Sequence, residues 1–219
     1  MAGEVRINGH LAAKASDVVL EQQKISVAGR PRYVGRGGVK LEGAITHFGV
    51  VCEGKVGLDI GASTGGFTDC LLQNGARKVF AVDVGHGQLA WKIRDNPRVV
   101  TLEKTNARHL SKVEIPDPIE VCAIDVSFIS LTLILPNAFE LLTPDGVILA
   151  LIKPQFELRR DDVGRGGIVR SAELHDEAQQ KIVAFATQMG ARVGGLSPSV
   201  IAGTDGNQEF FICLQKPSA

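Results

Sequence analysis

The sequence has no excess charge of either sign, no closely spaced cysteines and no long apolar run. Lys and Arg together number 24, as do Asp and Glu, so the net charge neither favours nor opposes a nucleic-acid partner. The four cysteines include no CxxC pair, which argues against a zinc site and a disulfide framework and predicts reduced, buried thiols. No apolar run approaches the roughly 18 residues that a membrane helix needs, and the N-terminus lacks the pattern of a secretory signal. We therefore expect a cytoplasmic protein with no metal site and no membrane partner.

The sequence does have the length and composition of one full α/β domain with a small appendage. Of its 219 residues, 44% are hydrophobic and 22% are charged, which is the balance of a folded globular protein. Short strand patterns at residues 4–8 and 24–27 precede a linker at 29–32. Two short strands cannot bury a core alone, so this segment either packs on the main domain or is the remnant of a larger module. The predicted domains are residues 1–32 and 33–219.

Beyond residue 32, strand patterns alternate with helical patterns along the chain. The predicted strands cover residues 55–60, 78–84, 99–102, 121–125, 147–153, 192–196 and 209–214. The predicted helices cover residues 39–47, 67–73, 87–94, 131–142 and 172–189. This alternation predicts a Rossmann-like α/β fold with a seven-stranded, mostly parallel sheet. The linker before the last strand is too short for a helical crossover, so that strand should run antiparallel.

A glycine-rich segment joins the first strand of this domain to the helix that follows it. In a doubly wound sheet, ligands bind at the carboxyl ends of the strands, where glycines let the backbone approach them. The segment lacks the GxGxxG spacing of dinucleotide sites and the lysine of a P-loop, whereas acid-x-Gly-x-x-x-Gly is typical of methyltransferases. We therefore predict an S-adenosyl-L-methionine site, with an ordinary strand-to-helix turn as the alternative. The predicted cofactor-binding residues of this segment are Asp59, Gly61, Ala62, Ser63, Gly65, Gly66 and Phe67.

Further cofactor ligands are expected at the ends of the next strands. Asp83 ends the second strand, about twenty residues past the glycines, where an acidic side chain can accept hydrogen bonds from ribose hydroxyls. Val84 follows it, and Asn106 follows the third strand, where its amide can bond an adenine edge. Asn106 is equally consistent with a loop residue or a helix cap. Asp125, at the end of the fourth strand, completes the predicted cofactor site.

Four charged residues lie beside apolar runs, where an unpaired charge would be costly. They are Lys40 before the first strand, Asp125 and Lys153 at the ends of the fourth and fifth strands, and Glu209 at the start of the last. The strand residues can converge at the carboxyl edge, beside the cofactor. A partly buried lysine can act as a base toward a hydroxyl, while carboxylates orient it and a second lysine holds the substrate. An ordinary buried ion-pair network is the alternative.

Eight segments beyond residue 32 form a highly specific set. They are YVGRGGVKL from Tyr33, DIGASTGGFTD from Asp59, AVDVGHGQLAWKIR from Ala81, TNAR from Thr105, IDVSFISL from Ile124, IKPQFE from Ile152, GRGGIVR from Gly164 and GNQEFF from Gly206. The set resembles the TlyA family, known as hemolysin A or as ribosomal RNA cytidine 2′-O-methyltransferases and related to the FtsJ-type RNA methyltransferases.

The resemblance implies both a chemistry and a partner. It implies S-adenosyl-L-methionine as methyl donor, a ribose 2′-hydroxyl as acceptor, and ribosomal RNA or a ribosomal subunit as partner. It also implies a catalytic tetrad of Lys40, Asp125, Lys153 and Glu209. Within that tetrad we expect Lys153 to be the base, Asp125 and Glu209 to orient it, and Lys40 to steady the substrate.

The family's N-terminus is normally an RNA-binding module of the ribosomal-protein-S-four type. Residues 3–9, Lys14 and residues 25–27 look like the second half of that module. Its two leading helices, which carry much of its basic surface, have no counterpart in this sequence, so autonomous RNA binding by this segment stays open. Gly35 stands where the family more often has serine, a small change in a flexible loop.

Arginines near the predicted site are expected to contact RNA. The loop at residues 156–170 follows Lys153 directly and carries several arginines among glycines, which favours a mobile flap over the site. A solvated surface loop is the alternative. The predicted RNA-binding residues are Arg36, Arg159, Arg160, Arg165 and Arg170.

Two other classes of function compete with methyl transfer. A membrane-lysing protein, as the hemolysin name suggests, needs an exposed amphipathic or membrane-spanning element, and the sequence contains none that is recognisable. A non-catalytic RNA-binding protein could keep the same fold, but the intact tetrad argues against it. Binding of S-adenosyl-L-methionine, followed by transfer of its label to RNA, would distinguish these classes.

Overall fold

The structure is a computed structural model that describes residues 5–11, 18–27 and 31–217. The chain divides into two compact units, Met1–Arg32 and Tyr33–Ala219. In the first unit, β1 (Val5–Ile7), β2 (His10–Leu11) and β3 (Ile25–Val27) form an antiparallel sheet in the order β2-β1-β3. β1 and β3 lie where the sequence predicts strands, and β2 is an additional strand.

A two-residue turn at Asn8 and Gly9 connects β1 to β2. Asn8 and Gly9 have φ values of 51° and 86°, the left-handed conformation that a two-residue hairpin turn requires. The Asn8 side chain also accepts a hydrogen bond from the Lys24 amide at 2.8 Å, which ties the turn to the start of β3. The other residues of the predicted RNA-binding module, Gly3, Glu4 and Lys14, lie outside the described residues.

The second unit contains seven strands and six helices in its described part. Its strands are β4 (Val56–Ile60), β5 (Lys78–Val82), β6 (Val99–Leu102), β7 (Ile119–Ile124), β8 (Leu142–Ile152), β9 (Arg192–Pro198) and β10 (Phe210–Gln215). Its helices are α1 (Gly37–Phe48), α2 (Gly66–Gln73), α3 (Trp91–Arg94), α4 (Leu135–Leu141), α5 (Pro154–Glu157) and α6 (Ala172–Gln188). None of the helices in the described residues is long and apolar enough to cross a membrane.

The strands of this unit form one sheet in the order β6-β5-β4-β7-β8-β10-β9. Neighbours from β6 to β8 are parallel, whereas β10 is antiparallel to both β8 and β9. The prediction of a seven-stranded, mostly parallel sheet with an antiparallel last strand is confirmed. The strand order reverses between β4 and β7, and ligands of such sheets bind at the carboxyl ends of the strands near that reversal.

Several predicted elements differ in extent from the observed ones, and three of these differences have a clear local reason. The helix expected at residues 87–94 forms only as α3, because Gly87 has a φ of 71° at its expected start. The helix expected at 131–142 divides into a 3-10 turn, Leu131–Leu133, and α4, which has a proline in its first turn. β8 begins before residue 147, because Leu142 already pairs with Ile119 ahead of a register shift.

The core occupies both faces of the large sheet. On one face, buried side chains such as Leu58, Phe80 and Ile148 pack with Ala138 of α4 and Ile182 of α6. The other face has its own buried cluster, in which residues of β7, β8 and β10 pack against α1 and α2. Because both faces are covered, the central strands are almost continuously apolar, and polar side chains are confined to their ends.

Candidate active site

The glycine loop that follows β4 lies against the loop that follows β7. Gly61 has a φ of 89°, and a Cβ atom at this position would lie 2.1 Å from the backbone oxygen of Asp125. Glycine alone permits both this backbone conformation and this contact. Gly65, with a φ of 92°, is the N-cap of α2. The two loops beside the strand-order reversal can therefore approach because Gly61 has no side chain.

Asp59 lies beneath this loop. It is fully buried, and its Oδ2 accepts hydrogen bonds from the Thr68 amide at 2.8 Å and the Thr68 hydroxyl at 2.6 Å. Burial raises the pKa of Asp59 from 3.8 to about 7, and the nearby carboxylates of Asp125 and Asp83 add to the increase. Asp59 thus holds the first turn of α2 in place. The glycine loop, rather than Asp59, faces solvent.

A cavity of about 530 Å³ runs along the carboxyl ends of β4, β5 and β7, and we call it the strand-end groove. Its lining includes the predicted cofactor residues Gly61, Ser63, Asp83, Val84, Asn106 and Asp125. Ala62, Gly66 and Phe67 line a smaller recess of about 120 Å³ that shares Gly61, Ser63 and Asp125 with the groove. The predicted residues that face these cavities therefore come together at one edge of the sheet.

Asp83 organises the groove through its two carboxylate oxygens. Oδ2 accepts a hydrogen bond from the Ser63 amide at 2.7 Å, and Oδ1 accepts one from the Gly85 amide at 2.7 Å. Each carboxylate oxygen can accept a second hydrogen bond, so ribose hydroxyls can still be bound. Asn106 Oδ1 accepts from the Arg108 amide at 3.0 Å, so the expected alternative, a cap on a short helical turn, applies even though Asn106 lines the groove.

A second cavity, of about 290 Å³, is lined by all four residues of the predicted tetrad, and we call it the polar cavity. Lys153 Nζ lies 2.6 Å from Asp125 Oδ1 and donates a hydrogen bond to Ser127 Oγ at 2.9 Å. Lys40 Nζ lies 2.5 Å from Glu209 Oε2, and both side chains are buried. The expectation that Glu209 orients Lys153 is thus not met by its contacts, because Glu209 pairs with Lys40 instead.

The two cavities share a wall. Gly61, Ser63, Asp125, Ser127 and Phe128 line both of them. A group bound in the strand-end groove would therefore meet a group bound in the polar cavity beside the Asp125–Lys153 pair. This is the arrangement that transfer between two bound molecules requires, because the reacting atoms must be held close together and aligned.

Three residues of this region are not predicted by the sequence patterns: Ser127, Phe128 and Phe156. Phe128 is 89% exposed and has a φ of 63°, a conformation that is strained for a bulky residue. Its ring lies 5.0 Å from the ring of Phe156, and both line the polar cavity. Such exposed aromatic faces can stack on a nucleobase. The one sequence signal is that Phe128 lies among polar neighbours shortly after the end of β7.

The predicted RNA-binding arginines are distributed unequally around the site. Arg36 lines the polar cavity and donates a hydrogen bond to the Ala202 carbonyl oxygen at 3.0 Å. Arg159, Arg160 and Arg170 are exposed, while the side chain of Arg165 lies outside the described residues. The far end of this loop is held by Asn207, which bonds the Val169 amide at 2.9 Å and the Gly167 carbonyl oxygen at 2.8 Å.

The cysteines are remote from this chemistry. Cys52, Cys70, Cys122 and Cys213 all lie in the described part of the chain, where they are buried and not joined by disulfides. Burial raises the pKa of Cys52 to about 11, so its thiol is neutral at physiological pH. In the part of the chain that the structure describes, no three His, Cys, Asp or Glu side chains are grouped as metal ligands.

Comparison with known proteins identifies relatives of the whole chain. The YqxC protein of Bacillus subtilis is 47% identical over 99% of this chain and 78% of its own length. The protein named 16S/23S rRNA (cytidine-2′-O)-methyltransferase TlyA from Mycobacterium tuberculosis is 41% identical over 98% of this chain and 81% of its own. A hemolysin-like protein from Lactococcus lactis, known from a crystal structure, is 50% identical in sequence to this chain. The two structures align with a TM-score of 0.83 over 85% of this chain and 90% of the Lactococcus chain.

These relatives confirm the resemblance to TlyA proteins that the sequence segments indicate. The FtsJ-like methyltransferase family matches residues 33–216, which include both cavities and all four residues of the predicted tetrad. With that match, the chain belongs to the FtsJ-like methyltransferase family, and it is a methyltransferase.

Proposed function

We propose that this protein transfers the methyl group of S-adenosyl-L-methionine to a ribose 2′-hydroxyl of ribosomal RNA. The observation that carries the proposal is the wall shared by the strand-end groove and the polar cavity, at which Lys153 lies 2.6 Å from Asp125. The TlyA relative from Mycobacterium tuberculosis is named for a cytidine target, so we propose a cytidine ribose here as well. A ribosomal RNA substrate implies action in the cytoplasm, on free RNA or on a subunit.

The residues of the strand-end groove fit S-adenosyl-L-methionine. Asp83 can accept hydrogen bonds from ribose hydroxyls, and the exposed side chain of Val84 offers an apolar surface for a purine ring. Gly61 lines the groove without a side chain, so a ligand's chain can approach its backbone. The carboxylates of Asp83 and Asp125 also line the groove, as suits a ligand that carries a positive sulfonium.

The residues of the polar cavity fit the removal of a hydroxyl proton. When bound, S-adenosyl-L-methionine supplies an electrophilic methyl group. Lys153 Nζ would remove the proton of a 2′-hydroxyl held in the polar cavity, beside the position at which the bound cofactor would supply its methyl group. Asp125, whose Oδ1 lies 2.6 Å from Lys153 Nζ, would stabilise the ammonium that proton uptake forms. Lys40, neutralised by Glu209, lies where it can hold the substrate.

An RNA substrate is supported by the aromatic and basic side chains around the polar cavity. Phe128 and Phe156 present ring faces beside Lys153, where an unstacked base could lie while its ribose enters the cavity. Arg36 lines the same cavity, and the exposed Arg159, Arg160 and Arg170 can contact phosphates. We propose that Arg165 and the N-terminal unit, residues 1–32, also contact RNA.

The test is transfer of label from tritiated S-adenosyl-L-methionine to ribosomal RNA that lacks ribose methylation. A 2′-O-methyl group blocks alkaline cleavage of the adjacent phosphodiester, so the label should be found in an alkali-resistant dinucleotide. If alkaline cleavage instead releases the label in mononucleotides, the methyl group is on a base, and the proposal is contradicted. Membrane lysis without any transfer would favour the hemolysin alternative, and RNA binding without transfer would favour the non-catalytic one.

A further inference from the structure

Glu157 is a buried carboxylate that the proposed chemistry does not use. It is 5% exposed and ends α5, the short helix that begins directly after Lys153. It does not line the polar cavity, so it lies behind the wall that carries the reacting groups. A buried carboxylate is unfavourable unless its oxygens are satisfied, so its contacts should reveal why it is there.

The oxygens of Glu157 bind two other parts of the fold. Oε1 accepts a hydrogen bond from the Leu131 amide at 2.7 Å, and Oε2 accepts one from the Ser130 hydroxyl at 2.6 Å. Lys181 of α6 lies 2.9 Å from Oε2 and also donates to the Glu157 carbonyl oxygen at 2.6 Å. Four donor contacts thus converge on one residue, and together they fix both its side chain and its backbone.

These contacts join the same two segments that meet at the polar cavity. Ser130 and Leu131 follow β7 on the segment that carries Asp125, Ser127 and Phe128. The segment of Glu157 carries Lys153 and Phe156. On the cavity side these segments touch through the Lys153–Asp125 ion pair and the Phe128–Phe156 ring contact. Glu157 links the same two segments on the side away from the polar cavity.

We propose that Glu157 is a positioning residue that sets the spacing of these two segments and thereby the placement of Lys153 and Phe156 against the substrate. The inference rests on the proposed function. All groups that face its carboxylate are donors, so glutamine cannot replace glutamate: its amide nitrogen would face a donor whichever way the side chain is turned. A misplacement of about 1 Å at a reacting group can lower a rate by about 100-fold.

The test compares Glu157→Gln with the wild-type protein in three measurements. The single-turnover rate of methyl transfer at saturating cofactor and RNA should fall about 10- to 100-fold. Cofactor affinity by calorimetry should fall less than the rate, because Asp83 follows another strand and only part of the groove wall belongs to the segment that Glu157 contacts. Hydrogen–deuterium exchange should increase at the amides of residues 125–131 and 153–157. A rate near that of the wild type would overturn the proposal.

Two control variants separate positioning from general destabilisation. Val56→Ala removes buried volume at the opposite end of β4 and should lower the melting temperature without lowering the rate of the folded protein. Glu177→Gln changes an exposed glutamate of α6 and should change neither quantity. If Glu157→Gln is no slower than Val56→Ala at an equal folded fraction, Glu157 is only a structural residue.

A second variant covers the case in which Glu157→Gln does not fold. Lys181→Met removes the cation but leaves the Ser130 and Leu131 contacts, and it should also slow single turnover. A wild-type rate for Lys181→Met would contradict the proposal. Where Glu157→Gln does fold, the effects of the two substitutions should not add in the double variant, because both act through the same contacts. If the wild-type protein transfers no label, the proposed function fails, and the exchange measurement alone then decides the role of Glu157.

Discussion

The amine of Lys153 contacts Asp125 and Ser127, which lie on the shared wall of the two cavities. Lys153→Ala should lower turnover by about 10²- to 10⁴-fold, the usual contribution of a general base. Cofactor affinity should change little, because the amine acts on the RNA hydroxyl. Single-turnover methylation beside a cofactor titration measures both quantities.

The control for this variant is Lys112→Ala, which removes an exposed lysine from the opposite edge of the sheet and should leave the rate unchanged. Asp125 loses its partner in Lys153→Ala, but its side chain is 21% exposed and stays partly solvated, so the fold should survive. A near wild-type rate would show that Lys153 is not the base. A collapse of stability together with cofactor binding would instead support the ion-pair network as a structural feature.

Asp83 has two functions in the groove, and its replacement should report on both. Asp83→Ala removes charge-assisted hydrogen bonds worth about 1.5–3 kcal/mol, so S-adenosyl-L-methionine should bind at least about tenfold more weakly. Because Asp83 also accepts from the Ser63 and Gly85 amides, part of the loss would come from a looser loop. Asp83→Asn keeps one acceptor and should lose less affinity. Equal affinity of the alanine variant and the wild type in calorimetry would remove Asp83 from the cofactor site.

Asp59 predicts a pH dependence of stability. Its pKa rises from 3.8 to about 7 on folding because of burial, so the folded protein holds this proton more tightly than the unfolded chain. The stabilisation is then complete below about pH 4 and is lost as the pH rises through about 7. Asp59→Asn cannot titrate, so its melting temperature relative to the wild type should increase between pH 5 and pH 8. A constant difference across this range would contradict the raised pKa.

At the scale of elements, strand ends were easier to predict than the partners of their side chains. Asp125 and Lys153 end parallel strands that are neighbours in the sheet, so their proximity follows from topology alone. The Lys40–Glu209 pair depends on where α1 lies relative to the residue that precedes β10, and sequence spacing contains no such information. Phe128 was missed because an aromatic residue after a strand normally predicts core, whereas a positive φ turns this one outward.

The loop between α5 and α6 gives the prediction that belongs to this scale. Replacing the exposed Arg159 and Arg160 with alanine should weaken RNA association and reduce the slope of log affinity against log salt, by about 0.7–0.9 for each lost phosphate contact. The matched control replaces Arg77 and Lys112, which are exposed at the opposite edge of the sheet. An equal salt slope for both double variants would show that the loop is only a solvated surface.

For the whole molecule, the order of elements was predictable because strand patterns alternate with helical patterns along most of the chain beyond residue 32. The division into Met1–Arg32 and Tyr33–Ala219 has a consequence for stability. The first unit has strands of two or three residues, and its Val5 and Ile25 side chains are 40% and 56% exposed. The described part of this unit buries little, so it should contribute no separate thermal transition. The melting of the chain should report on the second unit.

Cofactor binding should therefore shift a single transition. At a concentration of 100 times its dissociation constant, S-adenosyl-L-methionine should stabilise the folded state by about 2.7 kcal/mol. For a unit of this size that corresponds to an increase in melting temperature of about 5–10 °C. Calorimetry of the wild type, of Asp83→Ala and of Lys153→Ala at the same cofactor concentration tests whether the cofactor binds in the strand-end groove rather than in the polar cavity. Asp83→Ala should lose about half of the shift or more because its carboxylate lines the groove. Lys153→Ala should keep the shift. If Lys153→Ala instead lost the shift and Asp83→Ala kept it, the cofactor would lie in the polar cavity, which contradicts the proposed arrangement.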